Sequence, residues 1–357
     1  MSETASEIVS EIVSEIVTGQ WPLGWSVALF LAAGLLTVVG SIRLAMLGDV
    51  LADRTGRGEA LFGAVFFGLV ASLSGIVMTA VSAADHHPDL AYSNAVGGIA
   101  AQTLAVAAAD AAYRRVNLEH AAASLPNLLF GCLLIGLLGL ALMGSFSPEV
   151  TVAGVHPVSV VMVAFYWGGL RLISDRSRPM WVAVRTSDTV PDRPQAEEAT
   201  RGRRTGSLWA EFLGIAGAVV VGGWVVARAA ETFVALTGLR AGFVGAVLMG
   251  VVNALPETVT AIAAVRRGAV TLAIAAVIGG NCLDALNLVV GDLAYRGGSL
   301  YHAAEPDQLF LTAGALVMTT VLLGGLLVRQ ERGWLRLGFD GVLLIALYAA
   351  TVVVLAF

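Results

Sequence analysis

Two short stretches of apolar sequence carry the groups able to do chemistry. In Asn253-Ala254-Leu255-Pro256-Glu257 a carboxylate follows an amide by four residues, which puts both on one helical face near the middle of an apolar span. Pro256 has no N–H to donate, so the carbonyl four residues back, that of Val252, is left free. Bare backbone at membrane depth is tolerated only where it is buried in protein or lines a cavity. A carboxylate, an amide and a free carbonyl together form a ligand set for a hard cation. The second stretch is Gly279-Gly280-Asn281-Cys282-Leu283-Asp284, followed by Asn287, in which a spacing of three keeps Asn281, Asp284 and roughly Asn287 on one side. The glycine pair predicts close helix approach. An ionised group at the bilayer centre costs about 2.5–3.5 kcal/mol on insertion scales, so paired acids and amides there point to a functional site.

The elements that hold these residues are predicted to be membrane helices. The chain of 357 residues is 57% hydrophobic and 13% charged with a mean hydropathy of +0.82. Runs of ~20 apolar residues, enough to cross a hydrocarbon core, recur throughout. Ten spans are expected, near 24–47, 58–83, 88–112, 122–144, 151–173, 207–229, 241–265, 269–294, 307–328 and 334–356. Alternating the loops between two sides gathers Arg54, Arg57, Arg114, Arg115, Arg171 to Arg204, Arg266, Arg267 and Arg329 to Arg336 on one of them. By the positive-inside rule that side is cytoplasmic, and both termini lie outside the cytoplasm of a plasma or inner membrane. The opposite side keeps only Arg228, Arg240 and Arg296. The chain has no lysine, its net charge of −5 says little about partners, and nothing suggests nucleic-acid binding.

Residues 38–114 return, ungapped and shifted by 182 positions, as residues 220–296. Gly63-Ala64-Val65 matches Gly245-Ala246-Val247, Gly97-Gly98 matches Gly279-Gly280, and Asp110, Tyr113 and Arg114 match Asp292, Tyr295 and Arg296. Each span and its copy are five spans apart, and an odd offset inverts the second copy relative to the first. The fold class expected is therefore all-α, with ten transmembrane helices as two inverted five-helix repeats, an arrangement typical of secondary transporters. The expected division is an amphipathic segment 1–20, a first repeat 21–173, a cytoplasmic linker 174–206 and a second repeat 207–357. The segment 1–20 repeats Ser-Glu-Ile-Val three times and lacks the basic start of a secretory signal, so the first span is expected to stay as an anchor.

Leu255-Pro256-Glu257 and Gly279 to Asp284 resemble the second signature repeat of the calcium:cation antiporter superfamily, in its sodium/calcium exchanger membrane region. That pattern reads Gly-Thr-Ser-x-Pro-Glu on one helix and Gly-Ser-Asn-x-x-Asn/Asp on the next. The resemblance covers all ten spans and includes Phe339-Asp340-Gly341 leading into a last helix with Tyr348. The first repeat departs from it. Under the shift of 182, Pro256 meets Ser74, Glu257 meets Gly75, Asn281 meets Ile99 and Asp284 meets Gln102. The first half thus offers Ser72, Ser74, Thr79, Gln102 and Asn94 but no carboxylate, where family exchangers place an acid in both halves.

The resemblance implies a cation antiporter, a transporter and not an enzyme, moving Ca²⁺ or another cation against H⁺ or Na⁺ with no cofactor. Glu257 and Asp284 would be the charged, metal-holding ligands, with Asn253, Asn281 and the Val252 carbonyl as neutral ones. Ser72, Ser74 and Gln102 would supply the diminished opposite wall, and Asn94, Thr79 and Asn287 are additional candidates. Two acids in a poorly solvated pocket repel, which makes proton exchange at the pair plausible. The partners expected are inorganic cations and the lipid bilayer; the sequence identifies no protein partner. The alternative is a degenerate, non-transporting scaffold or sensor in which both acids only bond helix to helix. An intramembrane hydrolase is disfavoured, since no span holds a His-x-x-x-His.

Elsewhere the simpler readings are preferred. Asp110 and Asp292 are expected to cap helix ends or to meet Arg114 and Arg296, while Asp49 and Glu231 are expected as helix-end acids near the surface. His86 and His87, beside Asp85 and Asp89, read as solvated loop residues. Cys132 and Cys282 lie in different halves and read as small buried hydrophobes without a disulfide.

Overall fold

A computed structural model describes residues 21–55, 72–113, 117–118, 122, 124–174, 204–266, 270–330 and 338–357. The segment 1–20, the first part of the second expected span, nearly all of the linker and the side chain of Asp49 lie outside these residues. So do Arg57, Arg114, Arg115 and Arg267. In chain order the helices are α1 (Leu23–Thr55), α2 (Leu73–Ala84), α3 (Pro88–Ala112), α4 (Leu125–Ser145), α5 (Pro157–Ser174), α6 (Thr205–Thr237), α7 (Ala241–Arg266), α8 (Val270–Ala294), α9 (Pro306–Val328) and α10 (Phe339–Ala356). Among the described residues nine helices are long and apolar enough to cross a membrane, and α2 is the described part of the remaining span. Helices suit this setting because every interior N–H and C=O is paired within its own segment.

Local sequence sets several boundaries. Proline at the first turn of α3 and α9 costs no helical bond, and the Ser124 hydroxyl caps α4 by accepting the Asn127 N–H at 3.3 Å. Glu305 and Gln308 form a reciprocal capping box on α9, and α6 stops at Gly238, whose φ of 69° suits a residue without Cβ. Helix α7 is irregular: Val244–Met249 widens into a π-turn just before the Asn253 to Glu257 stretch.

The internal repeat extends beyond the stretch read from sequence. Adding 182 to the bounds of α1, α3 and α5 gives the bounds of α6, α8 and α10. Helices α3 and α8 are buried and cross the centre, flanked by α2 and α7, while α4, α5, α9 and α10 pack around them and α1 lies along α6. Arg171, Arg204, Arg266 and Arg329 sit at helix ends.

The two halves lock through a pair of buried acids related by the repeat. Asp110 in α3 accepts the N–H of Leu118 at 2.7 Å and that of Gly338 at 3.2 Å, at the start of α10. Asp292 in α8 accepts the N–H of Leu300 at 3.0 Å and that of His156 at 2.8 Å, at the start of α5. Leu118 and Leu300, and His156 and Gly338, are again 182 apart, so each half caps the last helix of the other. A carboxylate at a helix N-terminus satisfies free N–H groups and meets the positive end of the dipole. The capping reading of these acids therefore holds through main-chain N–H groups, and Arg296 is not among the partners of Asp292. Asp292 also accepts the Ser159 hydroxyl at 2.7 Å, and Ser159 meets the Tyr301 hydroxyl at 3.0 Å. Burial pushes the Tyr301 hydroxyl above its ordinary pKa, which keeps it a donor.

Three simpler readings need correction. Gly279 has nothing within 4 Å of where a Cβ would stand, so Gly280 alone serves close approach. Glu231 is buried and paired with Arg228 at 2.7 Å, since Arg228 and Asp85 fold over it from the helix end. Cys132 is exposed on α4, on the face turned away from the bundle, whereas Cys282 is buried as expected.

Asp292→Ala would leave two buried N–H groups unpaired and leave the Ser159 hydroxyl only its contact with Tyr301. It is expected to lower stability by about 3 kcal/mol, with Asp292→Asn losing less, read as melting temperature in detergent.

Candidate functional site

At the centre of the bundle, where α3, α7 and α8 cross, the second-half acids come together inside the protein. Glu257 in α7 is 6% exposed and Asp284 in α8 is fully buried, and the two are close enough to feel each other's charge. Their environments differ sharply. Asp284 accepts N–H groups from Gln102 at 2.6 Å, Asn253 at 3.2 Å and Asn287 at 3.2 Å. The Ser72 hydroxyl is near the same carboxylate without making a hydrogen bond of ordinary geometry. Glu257 has neither oxygen hydrogen-bonded among the described residues.

The Gln102 to Asp284 bond joins positions 182 apart, so the two repeats meet here across their own symmetry axis. An ionised carboxylate only accepts, so each amide must turn its NH₂ toward Asp284 and its oxygen away. Those oxygens, Gln102 Oε1 and Asn253 Oδ1, are buried without partners. Gln102 Oε1 and Glu257 Cγ both approach the face of Gly280, at 3.3 and 3.7 Å from a Cβ placed there. A side chain at 280 would therefore part α8 from the site.

Gly98 and Gly75 in the first half perform the same service for Asn253. A Cβ at residue 98 would stand 2.5 Å from Asn253 Nδ2 and 3.6 Å from Asp284 Oδ2, and a Cβ at residue 75 would overlap the Asn253 amide. Below them Gly97 meets the backbone of Ala246 and Gly250 in α7, so main chain lies on main chain. Around Pro256 the Thr258 hydroxyl donates to the Ala254 carbonyl at 2.7 Å and the Thr260 hydroxyl to that of Glu257 at 2.9 Å. Val252 is buried, and the proline ring denies its carbonyl the usual helical donor.

The remaining candidates divide. Asn94 donates to Thr79 Oγ1 at 2.9 Å and to the Gly75 carbonyl at 3.2 Å, forming a first-half pair next to Asn253 with Asn94 Oδ1 unpartnered. Asn281 turns from Asp284 to donate to Thr103 Oγ1 at 2.9 Å, and its own oxygen stays unpartnered. Ser74 is buried with an unpartnered hydroxyl, makes no hydrogen bond to either acid, and sets its carbonyl against Gly223 of α6. Thr103 was not read from sequence; its only signal is that it follows Gln102 on a buried helix.

The result is a buried group of oxygens that find no donors among the described residues, which in folded proteins is rare. Known proteins agree with this architecture. The sodium/calcium exchanger protein family matches residues 25–173 and 206–357. The chain belongs to that family. It falls within the calcium:cation antiporter superfamily that the signature stretches resemble. A curated relative, the sodium/calcium exchanger MaX1 of Methanosarcina acetivorans, is 29% identical over 139 residues, 39% of this chain and 37% of that protein. The chain therefore aligns with little more than a third of the relative's length.

Three solved structures share the fold. The H⁺/Ca²⁺ exchanger CAX superposes with a TM-score of 0.68 at 16% identity, covering 98% of this chain and 85% of its own. Native YfkE gives 0.66 at 13% identity over 99% and 98%. The sodium-calcium exchanger NCX_Mj gives 0.53 at 18% identity over 93% and 99%. The family member described here is thus a multi-pass membrane protein with two inverted five-helix repeats.

The placement of Asn253 against Gly75 is directly testable. With Cys132 and Cys282 replaced, Gly75→Cys with Asn253→Cys is expected to form a disulfide, because Asn253 Cγ lies 2.7 Å from a Cβ at residue 75. After cleavage at a protease site inserted between residues 174 and 206, the halves should stay joined on a denaturing gel until reduced. Halves that separate without reductant would contradict the placement.

Proposed function

We propose that this exchanger-family protein is a secondary active cation antiporter, exchanging Ca²⁺ or another cation for H⁺ or Na⁺ by alternating access at the buried site around Glu257 and Asp284. The observation that carries this reading is Glu257: a buried carboxylate with both oxygens unpartnered, beside a second acid and two unpartnered amide oxygens. Unmatched acceptors are satisfied by a positive charge, which is either a metal ion or a proton on Glu257. The two occupants compete for the same oxygens, and that competition is the coupling an antiporter needs. The relatives' names point the same way, since they describe H⁺/Ca²⁺ and sodium/calcium exchange.

Alternating access requires the helices that carry the site to present it to each side in turn. The π-turn at Val244–Met249 and Pro256 make α7 the helix best built to bend, because both interrupt the regular ladder beside Glu257. The repeats 21–173 and 207–357 would be joined by a cytoplasmic linker, 174–206, with both termini outside the cytoplasm; the arginines at the helix ends support that orientation. Val252, Asn281, Asn287, Ser72, Ser74, Asn94 and Thr79 complete the proposed polar lining.

Reconstituted protein is expected to move cations under imposed Ca²⁺, Na⁺, K⁺ or H⁺ gradients, and Glu257→Gln is expected to reduce that flux to the level of empty liposomes. Flux that is equal in parent and variant for every ion would remove the antiporter reading and leave a scaffold of exchanger fold.

A further inference from the structure

The first half lacks an acid at residue 75, and the space beside it is filled from the second half. Two residues meet there: Gly75 stands where the other repeat has Glu257, and Asn253 stands one turn before Glu257 with its amide against Gly75 and Gly98. Neither residue suits the other's absence. A side chain at residue 75 would displace the Asn253 amide, and without Asn253 a glycine at 75 would leave a gap at the crossing of α2, α3 and α7.

From this geometry, and resting on the antiporter reading above, we infer that Asn253 replaces the missing first-half acid as a neutral ligand, and that Asp284 acts as a positioning residue. Asp284 has both acceptor sites of Oδ2 taken by Gln102 and Asn253 and one of the two on Oδ1 taken by Asn287. A cation reaching Oδ2 would have to break the bonds that hold Gln102 and Asn253. Held in this way, the amides of Gln102 and Asn253 cannot rotate, and the charge behind each NH₂ strengthens the oxygen at its other end. Glu257 is then the acid that meets the cation, with Gln102 Oε1 beside it across Gly280. An amide where an acid once stood lowers the negative charge on that wall, so selectivity against divalent ions is set at residues 75 and 253.

The test is equilibrium binding of CaCl₂ and of NaCl to the purified full-length protein in detergent, by isothermal titration, beside flux in proteoliposomes. Glu257→Gln is expected to abolish binding, while Asp284→Asn weakens it about tenfold and leaves a saturable site. Asn253→Ala is expected to weaken binding about tenfold, and Gly75→Glu combined with Asn253→Ala to regain at least that factor for Ca²⁺ but not for Na⁺. Asn253→Asp keeps the side-chain shape, so it reports even if the truncated variant does not fold, and it should move the preference toward Ca²⁺ about tenfold. Unchanged binding and preference in Asn253→Asp, or loss of binding in Asp284→Asn as complete as in Glu257→Gln, would overturn the assignment. Binding without flux in the parent counts against the antiporter reading, whereas the roles of Asn253 and Asp284 stand or fall on binding alone.

Discussion

A carboxylate buried where α3, α7 and α8 cross needs hydrogen bonds, and in this protein Asp284 accepts three of them from amides on those three helices. The short bond from Gln102, its own counterpart in the other repeat, fixes α3 against α8 at the centre of the molecule. Asn253 ties α7 to the same carboxylate. Removing the acid would release three amides at once, each with a buried NH₂ to satisfy. The close approach that makes these bonds possible comes from glycines: Gly97 and Gly98 on α3, Gly250 on α7 and Gly280 on α8.

The periphery follows the same symmetry with different chemistry. Asp110 and Asp292 sit far from the centre, yet each reaches across to hold the first turn of the other half's final helix. The halves are interlocked at both ends and bridged in the middle, so neither α5 nor α10 is positioned by its own repeat alone. At the centre the symmetry is broken: Gln102 faces Asp284, and Gly75 answers Glu257. One wall of the cluster carries the acids and the other is neutral, with Asn253 crossing between them.

Much of the architecture was legible in the sequence because it follows from apolar length and from the 182-residue register, both carried by many residues at once. The register even proved longer than the matching letters, since α1 and α5 repeat in length with little similarity of sequence. Spacing also picked out the proline, the acid and the amide that the fold buries together on α7, because those three on one face of a membrane helix have few other uses. What spacing could not supply was direction across the helix interface. It grouped Asn281 with Asp284, but Asn281 turns to Thr103, a partner 178 residues away that no local pattern marks. It treated Gly279 and Gly280 alike, although only one faces a neighbour. It placed Glu231 at the surface, because spacing puts Arg228 one turn before it on α6 but does not show Asp85 meeting that arginine from the end of α2. Glycine at 75 read as a loss, and only the packing shows what fills the space.

The central claim is that Glu257 waits, buried and unpartnered, for a positive charge. Infrared difference spectroscopy on the purified protein tests it most directly, by adding Ca²⁺ or Na⁺ or by changing pH and recording the carboxylate stretching bands. The account predicts a band change in the parent protein that is absent from Glu257→Gln. The same difference spectrum in both proteins would contradict it.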